Sequence, residues 1–116
     1  MSDSPVDKEA LFDVVDEDPA FLKTLINTFL DDCETYMSAL RTAVEEGDED
    51  ALEKEAHGLK GAVANLQAEP AREAARRLEE LGRSGAVGEA DRALDRLETE
   101  IDRLRAYCDE LEDAIG

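Results

Sequence analysis

From residue 87 to the end of the chain, apolar residues recur at steps that alternate three and four: Val87, Ala90, Leu94, Leu97, Ile101, Leu104, Cys108, Leu111 and Ile115. Only an α-helix brings residues at that spacing onto one stripe. A helix with a single apolar seam must bury it against another element, so the pattern demands partners. They are present in the same chain. Asp18-Pro19 is a helix-start signal. From there to Glu46 the residues Phe21, Leu22, Leu25, Ile26, Phe29, Leu30, Cys33, Tyr36, Met37, Leu40 and Val44 form a wide stripe, which Gly47 ends. Asp48 or Asp50 caps a third helix, with Asp50 and Glu53 spaced as a capping box. Its inner face is Leu52, Ala56, Leu59, Val63 and Leu66. Glu69-Pro70 opens a fourth, with Ala71, Ala74, Ala75, Leu78 and Leu81 inward and Gly82 and Gly85 closing it. A short helix precedes these, capped by Ser4 with Pro5 at its first position and carrying Leu11, Phe12, Val14 and Val15.

The expected fold is all-α: an antiparallel four-helix bundle with a short additional N-terminal helix. Residues 1–116 form one domain, with 1–16 as the accessory helix and 18–116 as the bundle. The heptad seam of the last helix is also compatible with a coiled-coil dimer. The other three stripes need this one as their partner, so a monomer is expected.

Composition removes several functions. The net charge is -18, with 31 acidic against 13 basic residues. A surface of that sign repels nucleic-acid phosphates and anionic membranes, so neither is an expected partner. No apolar run approaches the roughly 20 residues of a membrane span. No basic segment followed by an apolar one marks the N-terminus for export, and a cytoplasmic location is expected. Cys33 and Cys108 fall on apolar helix faces and read as reduced thiols. One histidine and no Cys-x-x-Cys pair leave no familiar metal-ligand set, and no cofactor bound by this chain is expected. The acidic excess resembles proteins of a salt-rich cytoplasm, and a plain acidic protein rich in arginine would look the same.

The one histidine, His57, stands in His57-Gly58-Leu59-Lys60-Gly61. At about 100° per residue it falls about 140° from the centre of the third helix's apolar face, with Gly61 at about 180°, Ala64 at about 120° and Lys60 at about 80°. The histidine therefore faces away from the core, with almost no side chain at plus four and plus seven. Each of Gly58 and Gly61 costs a helix about 1 kcal/mol relative to alanine. Two such glycines have two readings: access to the imidazole, or close packing of a neighbouring helix. Access suits a nucleophile that another macromolecule must reach. Lys60, three residues on, puts an ammonium group beside it that can pair with phosphoryl oxygens.

His57-Gly58-Leu59-Lys60-Gly61, followed by Asn65-Leu66 and Ala68, resembles the phosphoacceptor motif of histidine-containing phosphotransfer (HPt) domains of two-component relays. Leu78-Glu79-x-Leu81-Gly82-Arg83 resembles the end of that family's next helix. The resemblance covers nearly the whole chain and implies a phosphocarrier without kinase machinery of its own. It implies that His57 accepts a phosphoryl group on its outer ring nitrogen from a receiver-domain aspartate and passes it to another receiver. Lys60 would steady the phosphoryl group and Gly61 would clear the approach, with Ala64 beyond it. Glu79 and Arg83 would border the site, one orienting the imidazole and the other near phosphate or partner; an ordinary solvated pair at i and i+4 is the other reading. The implied partners are response-regulator receiver domains and a sensor or hybrid histidine kinase, with Mg²⁺ on the receiver. Gln67 departs from the pattern, standing where the family usually has glycine. Two other functions remain open at this point: a non-catalytic interaction module in which His57 is incidental, and, more remotely, a general acid–base enzyme.

Overall fold

A computed structural model describes residues 4–16 and 18–115, except for the side chain of Ile115, so the inward position expected for that residue lies outside the description. Among the described residues, five α-helices follow one another: α1 Lys8–Val15, α2 Pro19–Glu46, α3 Glu49–Ala64, α4 Glu69–Ser84 and α5 Ala90–Ile115. A 3₁₀ turn, Val87–Glu89, leads into α5, so Val87 lies outside the helix that its spacing had extended. No strand occurs among the described residues.

Helices α2 to α5 close a ring in which α3 packs most extensively on α4, α2 packs on α3 and α5, and α4 packs on α5. Residue pairs across these contacts give the directions. Tyr36 of α2 meets Gly58 of α3, while Leu25 and Leu66 line the same groove. Arg83 of α4 reaches Glu53 of α3, while Glu79 reaches His57 and Lys60. Arg41 and Glu34 of α2 pair with Glu98 and Arg105 of α5. In each case one number rises as the other falls, so these neighbours run antiparallel. The seam of α5 is spent inside the ring, where Ala90, Leu94, Leu97, Ile101, Leu104, Cys108 and Leu111 are all buried. They meet Ile26, Phe29, Leu40, Leu52, Leu59 and Leu78 in one continuous core. Each buried Leu, Ile or Phe among them contributes roughly 1.5–3 kcal/mol.

Local chemistry sets the helix ends. The Asp18 carboxylate accepts the Ala20 and Phe21 N–H groups, and Pro19 holds the first helical position of α2. Gly47 closes that helix at φ 64°, a left-handed conformation that glycine adopts without a Cβ clash. Asp48, rather than Asp50, caps α3 by accepting the Ala51 N–H at 3.0 Å. This leaves Asp50 in the first turn, where its charge suits the helix dipole but forms no capping box.

Three further expectations need correction. Ser4-Pro5 does not start α1: Ser4 turns its hydroxyl onto the Val6 carbonyl at 2.7 Å, and Asp7 is the cap. The Asp7 N–H instead donates to the Gln67 carbonyl at 2.9 Å, pinning this segment to the turn after α3. Gly82 does not end α4, which runs on to Ser84 with Gly85 (φ 76°) as its stop. Gly82 is a point of helix contact: a Cβ there would lie 2.6 Å from the Glu53 N and 2.9 Å from the Glu49 carbonyl. Finally, Val14 and Phe21, counted on inner stripes, are exposed, and Ala43 is buried on α2 instead. Val14 lies near the end of α1 and Phe21 near the start of α2.

Candidate functional site

Four residues converge where α3 crosses α4, and a buried carboxylate holds them together. Glu79 extends from α4 toward α3, and its side chain is only 5% exposed. Its Oε2 lies 2.6 Å from His57 Nδ1, and its Oε1 lies 2.6 Å from Lys60 Nζ. Arg83, one turn further along α4, places Nη2 3.5 Å from Oε2 while its Nε donates to Glu53 at 2.9 Å. This clustering follows from two spacings. Glu53, His57 and Lys60 lie on successive turns of α3, and Glu79 and Arg83 on successive turns of α4. Because the helices run antiparallel, the two rows mesh. The Gly82 contact brings the backbones close enough for Glu79 to span the gap.

A buried carboxylate costs free energy unless it is paired. Here the Lys60 hydrogen bond holds the Glu79 carboxyl below the usual carboxylate range; burial opposes this, and the His57 hydrogen bond adds to it. The ionised group can only accept. His57 Nδ1 must therefore carry a hydrogen and donate a hydrogen bond to Oε2, so a nucleophilic lone pair can reside only on Nε2, on the far side of the ring. That side is open: the His57 side chain is 69% exposed. Carboxylate and backbone geometry thus select one tautomer and one ring orientation.

The two glycines beside His57 do different things. A Cβ on Gly61 would meet nothing within 4 Å. A Cβ on Gly58 would lie 2.7 Å from the Tyr36 ring. Gly58 therefore serves packing and Gly61 leaves space. Ala64 is half-buried, at the edge of the open face rather than its centre. Lys60 is 26% exposed and tied to Glu79, so it lies beside the imidazole through a shared partner. Arg83 is 63% exposed, and its nearest partner is Glu53, a residue whose spacing from Asp50 suggests only a capping box. A groove of about 290 Å³ runs from Gly58 between α2 and α3, past Tyr36, Asp32, Thr28 and Asn65.

Gln67 takes a left-handed conformation, φ 57°, in the turn between α3 and α4. Its carbonyl receives the Asp7 N–H, and its side-chain amide donates to the Ala64 carbonyl at 3.3 Å. A position that needs positive φ favours glycine, so the departure noted at Gln67 is one of backbone strain. The turn still closes, and α3 still packs on α4. Among the described residues no group of three His, Cys, Asp or Glu side chains is placed to hold a metal ion. Cys33 and Cys108 are free and buried, and burial pushes the Cys108 thiol up to about 12.

An exposed imidazole oriented by a buried carboxylate on a four-helix bundle defines the class. Residues 24–107 match the Hpt domain family, and the chain belongs to it. The fold is also that of a solved relative. The crystal structure of histidine-containing phosphotransfer protein B (HptB) from Pseudomonas aeruginosa PAO1 superposes with a TM-score of 0.87 at 27% identity, over 94% of this chain and 95% of that one. Comparison with curated proteins yields no match. No helix among the described residues is long and apolar enough to cross a membrane.

Proposed function

We propose that this chain is a phosphorelay intermediate in which His57 Nε2 takes a phosphoryl group from a receiver-domain aspartate and passes it to a second receiver. The observation that carries the assignment is the His57–Glu79 pair: a carboxylate fixed in the helix interface accepts the Nδ1–H hydrogen bond, leaving Nε2 exposed as the nucleophile. In the transfer, the Nε2 lone pair forms the N–P bond as the aspartyl O–P bond breaks, and that electron pair returns to the receiver's carboxylate. No proton has to move, because Nδ1 keeps its hydrogen throughout. Glu79 stabilises the positive charge that develops on the ring, as a buried carboxylate does for a catalytic imidazole elsewhere. Lys60 supplies charge to phosphoryl oxygens that an acidic chain otherwise repels. Gly61 keeps the in-line approach clear.

The protein is a carrier rather than a kinase, and its working partners are receiver domains and a sensor or hybrid kinase, met in the cytoplasm. Mg²⁺ is expected on the receiver. The groove between α2 and α3 offers the docking ground beside His57. Incubation with a phosphorylated receiver should move label onto the chain in an acid-labile, base-stable form. A His57→Gln variant that still takes up label would overturn the assignment.

A further inference from the structure

A phosphoryl group on His57 and the Glu79 carboxylate would compete for the Lys60 ammonium group. Its Nζ sits 2.6 Å from Glu79 Oε1, on the buried side of the imidazole, whereas a phosphoryl group on Nε2 would stand on the exposed side. When Lys60 moves outward, Glu79 keeps its charge in a site that is 95% closed to water, with only the His57 hydrogen bond left. Taking a hydrogen-bonded ammonium group from a buried carboxylate is unfavourable even though the ring gains positive charge, so the departure of Lys60 would oppose phosphorylation unless another cation took up its share. One is already in place. Arg83 stands 3.5 Å from Glu79 Oε2, beyond a hydrogen bond but within ion-pair range. Closing to a normal bond of roughly 2.9 Å is a shift of well under 1 Å. Its guanidinium has five donors, so Nε can stay on Glu53 while the Nη groups turn onto Glu79. The Glu53 contact also keeps this exposed side chain (63%) from swinging into solvent.

The geometry points to Arg83 as a positioning residue: the reserve cation that pairs with buried Glu79 when Lys60 leaves it for the phosphoryl group. The inference rests on the phosphotransfer reading above. It assigns Arg83 a task that involves neither phosphate nor partner, and it gives the Glu53–Arg83 pair a reason to lie one turn from His57. The resting protein needs Arg83 little, since Lys60 already covers Glu79. The phosphorylated protein needs it fully.

Phosphotransfer from a phosphorylated receiver to wild type, Arg83→Gln, Arg83→Lys, Lys60→Ala and the Lys60→Ala/Arg83→Gln double variant tests this. Arg83→Gln should lower the transfer rate and the equilibrium yield of phosphohistidine by ~10-fold. Its melting temperature should stay within ~2 °C of wild type, because an exposed ion pair contributes little to the resting fold. Arg83→Lys should recover most of the loss. In the Lys60→Ala background Arg83 already covers Glu79 in both states, so adding Arg83→Gln should change transfer by less than ~2-fold. Equal losses from Arg83→Gln with and without Lys60 would mean that the arginine touches phosphate or partner directly, and would overturn the proposal. Wild-type transfer by Arg83→Gln would overturn it too. Should wild type itself take no label from any receiver, the phosphotransfer reading fails first, and a normal wild-type reaction separates the two failures.

Discussion

Gly61 is a position where the fold and the proposed reaction make opposite demands. It lies in the interior of α3, is exposed, and has open space where a Cβ would be. Replacing it with alanine therefore breaks no contact and creates none. What remains is backbone entropy: glycine in a helix interior is ~0.8–1.0 kcal/mol less favourable than alanine. Gly61→Ala should stabilise the protein by ~0.5–1 kcal/mol and raise the melting temperature of a domain this size by ~2–4 °C. The added methyl tilts toward the helix N-terminus, which is toward the His57 turn. There it stands at the edge of the approach to Nε2, and in-line transfer tolerates little misplacement. Transfer from a receiver should fall ~10-fold for alanine and further for glutamine. Urea or thermal denaturation read beside a transfer time course checks both halves. A variant that is not stabilised would mean that Gly61 has a structural task invisible in its surroundings. A variant that is stabilised and transfers at the wild-type rate would remove access as the reason for the glycine.

Three further outcomes follow from the geometry. Gly82→Ala would drive a methyl to within 2.6–3.0 Å of the α3 backbone at Glu49 and Glu53, which cannot turn aside as a side chain can. It should cost ~1–3 kcal/mol in denaturant titration and slow transfer by shifting Glu79 from His57; a neutral result would show that the two helices can part freely. Gln67→Gly should stabilise by ~0.5–1 kcal/mol by relieving the positive φ, whereas Gln67→Ala should not, and equal stabilities of the two variants would refute the strain. Glu79 has a folded-state pKa below its unfolded value, so its ionisation adds stability above about pH 4.3, lost as pH falls through the folded value. The stability of wild type minus that of Glu79→Gln should therefore shrink as pH is lowered from about 5 toward 2; a difference independent of pH would show that Lys60 and His57 do not favour the charged form.

The sequence by itself determined the helices and their inward faces, because helix period and end chemistry are local. Pro19, Gly47, Pro70 and Gly85 mark ends or beginnings that hold in the structure, and the seam from Ala90 to Leu111 is buried as its spacing requires. The outward position of His57 was legible for the same reason: it depends only on angles along α3. Where local signals compete, the sequence was ambiguous. Ser4, Asp7, Asp48 and Asp50 are all sound caps, and the choice among them depends on contacts made elsewhere, such as Asp7 N–H to Gln67. The resemblance carried Glu79 and Arg83 to the border of the site and left open which would orient the ring.

Only the tertiary structure decided that question, since a carboxylate on α4 acquires burial, the His57 and Lys60 hydrogen bonds and a depressed pKa only when α3 lies against it. It also separated the two glycines of the motif. Gly58 and Gly61 are alike in sequence, yet one faces the Tyr36 ring and the other faces empty space, and that difference belongs to α2, not to α3. The spacing along one helix sets which way a side chain points. What it meets there depends on a second helix, whose register is fixed by the packing of the whole core.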